Sequence, residues 1–195
     1  FVNRSFEYTQ NYNVNMLPKI DIVIISHDHY DHLDKKTIKA LAKNGCKFYV
    51  PLGVEKYLLK WGIQANKIFI ADWWDSFTDT LGLKLTCAPA RHFSGRGLTS
   101  HNKTLWCSWI IEKNNTRVFF SGDTGYGTHF KQIANKFNSF DLAFIECGQY
   151  NPNWRYIHGM PEQTVQAAAD INAKFLVPIH WGKFKLSTHQ WDEPI

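Results

Sequence analysis

The stretch IDIVIISHDHYDHLD, residues 20–34, decides how the rest of the sequence is interpreted. Its first part, up to Ile25, is nearly all apolar, which is typical of a buried strand. Its second part brings histidines at positions 27, 29 and 32 together with aspartates at positions 28, 31 and 34. Ionisable groups beside an apolar core lose solvation free energy unless a partner compensates them. The sequence therefore raises the question of what compensates this cluster.

The spacing H-x-H-x-D-H, formed by His27, His29, Asp31 and His32, offers one answer. At a turn between a strand and a helix, these four side chains can converge on one point. Imidazole and carboxylate ligands together suit Zn²⁺, and they also suit Mn²⁺ or iron. The alternative is a polar surface turn that happens to be rich in histidine. The motif alone leaves both interpretations open.

Three further candidate ligands each follow a predicted strand. His92 comes after LKLTCAPA, Asp123 follows the apolar run VFFSG, and His180 ends KFLVPIH. Strand ends are rigid platforms from which side chains can converge on one site. A single histidine at a strand end is more often structural than a ligand. Several such residues together favour a shared metal site.

Predicted strands and helices are intermixed along the chain. Asp34 is the expected N-cap of a helix, and a hairpin turns at residues 114–115. Pro161 opens a helix that carries Val165, Ala168 and Ala169 on one side. The hairpin interrupts a regular alternation of strand and helix. We therefore expect an α+β chain, with mixed sheets that helices cover.

Composition sets broad limits on the protein. The 195 residues, 44% of them hydrophobic, predict one globular domain over residues 1–195. The formal net charge of +5 favours anionic partners, but lysine and arginine are scattered rather than clustered. The four cysteines include no CxxC pair, which predicts buried thiols in a reducing compartment such as the cytoplasm. No apolar run is long enough to span a bilayer.

The motifs, in their order along the chain, resemble those of the metallo-β-lactamase superfamily. The similarity is greater to the phospholipase D that hydrolyses N-acyl-phosphatidylethanolamine and to its bacterial relatives. It extends over residues 17–184, and the H-x-H-x-D-H spacing specifies only the superfamily. The matching stretches are LPKIDIVIISHDHYDHLD, DWW, PARHFSGR, LWCSW, FFSGDTGY, HGMPEQTV and IHWGKF.

The resemblance implies an αββα sandwich that holds two divalent metal ions, with zinc first and manganese or iron as alternatives. It implies that Asp123 is a catalytic residue that bridges both ions, and that His158 lies near the substrate and assists the leaving group. In this family, strands precede the motif that begins at His27, so we expect the chain to be a fragment that lacks the N-terminal strands. The other ligands fall into two sets: His27, His29 and His92 for the first ion, and Asp31, His32 and His180 for the second.

The resemblance also implies a reaction. A hydroxide shared by the two ions would cleave the phosphodiester of an N-acyl-phosphatidylethanolamine, giving phosphatidate and an N-acylethanolamine. The expected partners are a phospholipid or other small-molecule substrate and, peripherally, a membrane. No nucleic acid is expected, because no basic patch with interleaved aromatic residues stands out.

Several alternatives to this reaction stay open. The same motif serves lactonases, thioesterases and nucleases, and a domain that a metal merely stabilises is a further alternative. Redox di-iron relatives usually carry glutamate where His29 stands, which favours hydrolysis here.

Overall fold

The computed structural model of the chain describes residues 5–10, 12–80 and 82–194. These residues form two compact units. The N-terminal unit comprises residues 8–75 and 93–106, and the C-terminal unit comprises residues 5–7, 76–92 and 107–194, apart from positions 11 and 81. One domain over residues 1–195 stays a prediction.

The N-terminal unit is built on a three-stranded parallel sheet in the order β1-β2-β3. Parallel strands need a connection over the face of the sheet, and helices supply it here. The elements are β1 (Ile22–Ile24), α1 (Lys35–Ala42), β2 (Lys47–Pro51), α2 (Glu55–Lys60) and β3 (Ile68–Ala71), with short 3-10 helices at Val14–Met16 and Ala65–Lys67.

Helix α1 begins where the sequence predicted. The Asp34 carboxylate accepts a hydrogen bond from the backbone N–H of Thr37 at 2.7 Å, which satisfies one of the open donors of the first turn. The helix buries Ile38 and Leu41 in a core cluster that also contains Phe48 of β2. This anchored helix fixes the end of the loop that carries the H-x-H-x-D-H motif.

The C-terminal unit is built on a six-stranded mixed sheet in the order β4-β5-β6-β7-β8-β9. Strands β4 to β7 pair antiparallel, and β7, β8 and β9 pair parallel. The strands are β4 (Ser76–Thr78), β5 (Lys84–Ala88), β6 (Ser108–Lys113), β7 (Thr116–Phe120), β8 (Leu142–Glu146) and β9 (Leu176–Ile179); the helices are α3 (His129–Phe137), α4 (Pro161–Asp170) and a 3-10 turn at Pro152–Trp154.

Most local predictions for this unit are confirmed, and one side-chain assignment is wrong. The β6–β7 hairpin turns at Asn114, whose φ of 54° is the left-handed conformation that such turns require. Helix α4 opens at Pro161, but Val165 is 62% exposed and Ala169 is exposed too, while Ala168 is buried. Thr164 takes the buried position instead, because its hydroxyl donates to the carbonyl oxygen of Glu146 at 2.9 Å.

The cysteines and the helices agree with two further expectations. All four cysteines are free and buried, so each packs as a small apolar side chain. Within the described part of the chain, no helix has the length and apolar character needed to cross a bilayer.

Candidate functional site

The H-x-H-x-D-H motif occupies the loop between β1 and α1 in the N-terminal unit. His27 is buried, and its Nε2 lies 2.9 Å from Nδ1 of His29. The rings of His27 and His32 lie 4.2 Å apart, and Nε2 of His32 is 3.4 Å from Oδ2 of Asp31. The unit therefore brings the four motif side chains together in one turn, as the spacing predicted.

Two residues between and beyond the ligands hold this turn in shape. Asp28 is fully buried, and its carboxylate accepts the backbone N–H of Gly95 at 2.7 Å. The Arg96 guanidinium donates to the carbonyl oxygens of Asp28, His29 and Leu33 at 2.7, 3.3 and 2.8 Å. One side chain thus satisfies three peptide groups of a loop that has few helix or sheet bonds. The sequence analysis missed the role of Arg96, since nothing in RHFSGR shows where its side chain goes.

The C-terminal unit brings the three strand-end candidates together. Nε2 of His92 lies 3.7 Å from Oδ2 of Asp123, and Nε2 of His180 lies 3.4 Å from Oδ1 of the same carboxylate. Each oxygen of Asp123 therefore faces a different imidazole. Nδ1 of His92 lies 3.0 Å from the carbonyl oxygen of Ile157, which can only accept, so Nδ1 carries the proton. This bond leaves Nε2 of a neutral His92 with its lone pair on the Asp123 side.

The backbone at His180 is unusual. His180 has a φ of 70°, which is rare for a residue other than glycine. Its carbonyl group lies so close to Gly148 that a Cβ atom at that position would overlap it. Backbone strain of this kind is retained where surrounding structure enforces it, and it is common at functional sites.

Glu146, at the end of β8, is a site residue that the sequence analysis missed. Its buried carboxylate accepts Nδ1–H of His158 at 3.1 Å and the backbone N–H of Gly159 at 2.9 Å. The same carboxylate lies 3.6 Å from Nδ1 of His180. Burial acts against ionisation of Glu146, but the charge and hydrogen bond of His158 outweigh it and hold the pKa of Glu146 below its ordinary value. Glu146 thus orients His158 through a hydrogen bond and lies beside His180.

His158 belongs to the same cluster. Burial acts to lower the pKa of His158, but the charge and hydrogen bond of Glu146 outweigh burial and raise it above its ordinary value. His158, His180 and Asp123 each offer a ligand atom, and these atoms all lie within 4.8 Å of one another. The arrangement therefore allows two roles for His158, either as a proton donor or as a metal ligand.

The donor set of the C-terminal unit fits a bound cation. Asp123 and Glu146 are both nearly inaccessible to solvent, so the unit buries two carboxylates. Buried charges are retained in proteins when they are paired or coordinate metals. The surrounding imidazoles are ligands that zinc accepts together with carboxylate oxygen. A bound divalent cation would thus balance the negative charge of these buried carboxylates.

Comparison with known sequences identifies the family of the chain. The family model of a β-lactamase superfamily domain matches residues 3–181. An uncharacterized protein of Mycobacterium tuberculosis is 46% identical over 183 residues, 92% of this chain and 49% of that protein. The N-acyl-phosphatidylethanolamine-hydrolyzing phospholipase D 1 of Caenorhabditis elegans is 36% identical over 186 residues, 90% of this chain and 52% of that protein. The chain spans about half the length of the curated relatives it matches.

Comparison with solved structures shows the fold. A diiron β-hydroxylase from Streptomyces venezuelae superposes with a TM-score of 0.72 at 16% identity, covering 96% of this chain and 42% of that one. Together with the family model, this likeness confirms the predicted α+β class and the metallo-β-lactamase fold. Because that neighbour is a hydroxylase, the fold by itself does not decide the chemistry.

Proposed function

The chain belongs to the β-lactamase superfamily. On that premise we propose that it is a metal-dependent hydrolase that cleaves the phosphodiester of an N-acyl-phosphatidylethanolamine-type phospholipid with two divalent ions, zinc before manganese or iron. Sequence identity to the Caenorhabditis elegans phospholipase D over most of the chain supports this choice among the superfamily's reactions. The observation that carries the proposal is the buried carboxylate of Asp123, with a different imidazole facing each of its oxygens.

Seven residues would hold the ions. The two ions supply a Lewis acid and lower the pKa of a bound water, so that a nucleophile is available at neutral pH. Asp123 would be the ligand shared by both ions, since each of its oxygens already faces a separate histidine. The remaining ligands would be His27, His29 and His92 for one ion, and Asp31, His32 and His180 for the other.

His158 would give its proton to the departing alcohol. The ionised Glu146 can only accept, so Nδ1–H of His158 is committed to that bond and Nε2 is the atom that faces the substrate. The charge and hydrogen bond of Glu146 favour the protonated imidazole of His158. A general acid needs this property.

A phospholipid substrate also requires contact with a bilayer surface. In the N-terminal unit, Tyr12, Met16 and Leu17 surround the first 3-10 helix and are 78%, 55% and 49% exposed. Exposed apolar side chains of this kind suit insertion at a lipid surface. We place the protein at the cytoplasmic side of a membrane as part of the same proposal. Its test is co-sedimentation with anionic vesicles, which the variant M16S/L17S should lose.

One experiment separates this function from its rivals. Metal content is measured on the purified protein, which is then offered N-acyl-phosphatidylethanolamine, a lactone, a thioester and RNA. We expect two ions per chain and the highest kcat/KM for the phospholipid. Saturation at one ion, or a higher kcat/KM for the lactone, the thioester or RNA, would contradict the proposal. Preference for RNA with a steep loss of binding in salt would identify a nuclease.

A further inference from the structure

A groove of about 460 Å³ lies on the C-terminal unit, apart from the histidine cluster. The loop after β5, the first turn of α3 and the loop before α4 each contribute one cationic side chain to it: Arg91, Lys131 and Arg155. Among the described residues that line the groove, none is acidic. The groove therefore has a local excess of positive charge that its own walls do not neutralise.

Two of the cations share one aromatic ring. The guanidinium carbon of Arg91 lies 4.4 Å from the ring centre of Tyr156, and that of Arg155 lies 5.2 Å from the same centre. Nη1 of Arg91 also donates to the carbonyl oxygen of Tyr126 at 3.1 Å, and Nη2 of Arg155 donates to the hydroxyl of Tyr156 at 3.3 Å. Two like charges held near one ring repel each other. An anion between them would convert that repulsion into attraction.

The potential in the groove also acts on Tyr156. The hydrogen bond from Arg155, followed by the charges of Arg155 and Arg91, lowers the pKa of the Tyr156 phenol from its ordinary value. Asp170, the acidic partner of a tyrosine that lines the groove, is bonded to the hydroxyl of Tyr126 at 2.6 Å and to Gln166 at 2.9 Å. It does not serve as a counter-ion to the arginines.

The groove and the histidine cluster are formed by the same loops. Arg91 directly precedes His92, and its backbone N–H donates to Oγ1 of Thr124 at 2.9 Å, next to Asp123. The loop that carries Tyr156 continues through His158 to Gly159, whose N–H donates to the carbonyl oxygen of Thr124 at 3.2 Å. The groove and the histidine cluster are therefore carried by neighbouring residues of the same loops.

We propose that the groove binds a second oxyanion of the substrate, either a carboxylate or a phosphate. This oxyanion belongs to the part of the substrate that keeps the phosphoryl group after the leaving group has departed. This inference rests on the proposed function, because it uses the same reaction centre, and it extends the substrate range to phosphodiesters with a further acidic group, which N-acyl-phosphatidylethanolamine itself does not carry. Arginine suits the task because its planar fork binds such oxygens with two parallel hydrogen bonds.

The test compares two 4-nitrophenyl phosphodiesters whose other arm ends in a carboxylate or in its methyl ester. For the intact protein with its metals bound, we expect the acidic diester to have a kcat/KM higher by about tenfold, mainly through KM, as a charge-assisted contact of about 1.4 kcal/mol gives. The double variant K131Q/R155Q should bring the ratio near one. The matched control is K113Q, which removes an exposed lysine at the end of β6, outside the groove, and should keep the ratio.

Two outcomes would overturn the proposal: equal kcat/KM for both diesters in the intact protein, or a preference that K131Q/R155Q leaves unchanged. If neither diester is hydrolysed, the proposed function fails, and calorimetric binding of the two diesters then judges the groove alone. Tighter binding of the acidic diester that K131Q/R155Q loses and K113Q keeps supports the groove. Equal binding of the two diesters rejects it.

Discussion

The motif turn of the N-terminal unit and the histidine cluster of the C-terminal unit are built in opposite ways. The motif turn takes its four candidate ligands from six consecutive residues, and Arg96 stabilises it through peptide carbonyl groups. The histidine cluster collects side chains from the ends of β5, β7, β8 and β9, and the carboxylate of Glu146 orients it. Backbone contacts make the first robust to side-chain changes, whereas the second depends on individual side chains. The following predictions test that contrast.

The largest effect is expected from Asp123→Asn. Asparagine offers one good ligand oxygen and no charge, so the two facing histidines lose their shared partner. We expect turnover of the phospholipid to fall by at least ~10²-fold, with the fold retained. Turnover and metal content are measured together. Near-normal activity with two bound ions would show that Asp123 does not bridge.

His158→Ala should follow, with a loss of roughly 10²-fold, which is in the range of one acid–base group. Both ions should remain bound, and a 4-nitrophenyl ester should lose far less because nitrophenolate departs without a proton. Elemental analysis and the two rates are compared on the same preparation. Equal losses on both substrates would reject the acid role. Loss of an ion would make His158 a ligand, a role that its distance to Asp123 and His180 allows.

Glu146→Gln should cost roughly 10-fold to 100-fold, as expected for a group that orients others. The charge of Glu146 raises the pKa of His158, so its removal should lower that pKa. His158 would then lose its second proton at a lower pH, and the basic limb of the pH–rate profile should move to lower pH. If the rate changes but the basic limb of the pH–rate profile does not move, Glu146 has only a structural role.

Arg96→Gln should have the smallest effect on chemistry and a clear effect on stability. Three carbonyl groups of the motif turn lose their donor, which should lower the free energy of unfolding by about 2 kcal/mol. Denaturant unfolding measures this, with R155Q as the control, because Arg155 is exposed and lies in the other unit. A loss of activity at unchanged stability would mean that Arg96 contacts the substrate.

The sequence predicted what is local or periodic. The motif residues are close in sequence, and the helix N-cap at Asp34 and the hairpin turn at Asn114 follow from short-range chemistry. His92 was foreseen because it follows a recognisable apolar strand. Strand β4 was missed because its three residues, of which only the middle one is partly buried, are too few to show a strand pattern.

Tertiary contacts account for the rest. Glu146 looked like the polar end of a buried strand, and only the fold places His158 against it. The contacts of Arg96 span 63 to 68 residues, a separation for which no local pattern exists. Val165 is exposed because the Thr164 hydroxyl has a buried carbonyl partner, a contact that apolar spacing does not reveal.

The Arg96 contacts have a consequence for protein engineering. The hydrogen bonds of Arg96 end on peptide oxygens, so a change of the side chain at position 29 does not remove their acceptors. The ligand side chains of the motif turn can therefore be exchanged to test its metal preference. His29→Glu would install the carboxylate that redox di-iron relatives usually carry there, while the loop keeps its shape. Titration of the variant with ferrous iron, alongside its melting temperature, would show whether metal preference can be changed independently of architecture.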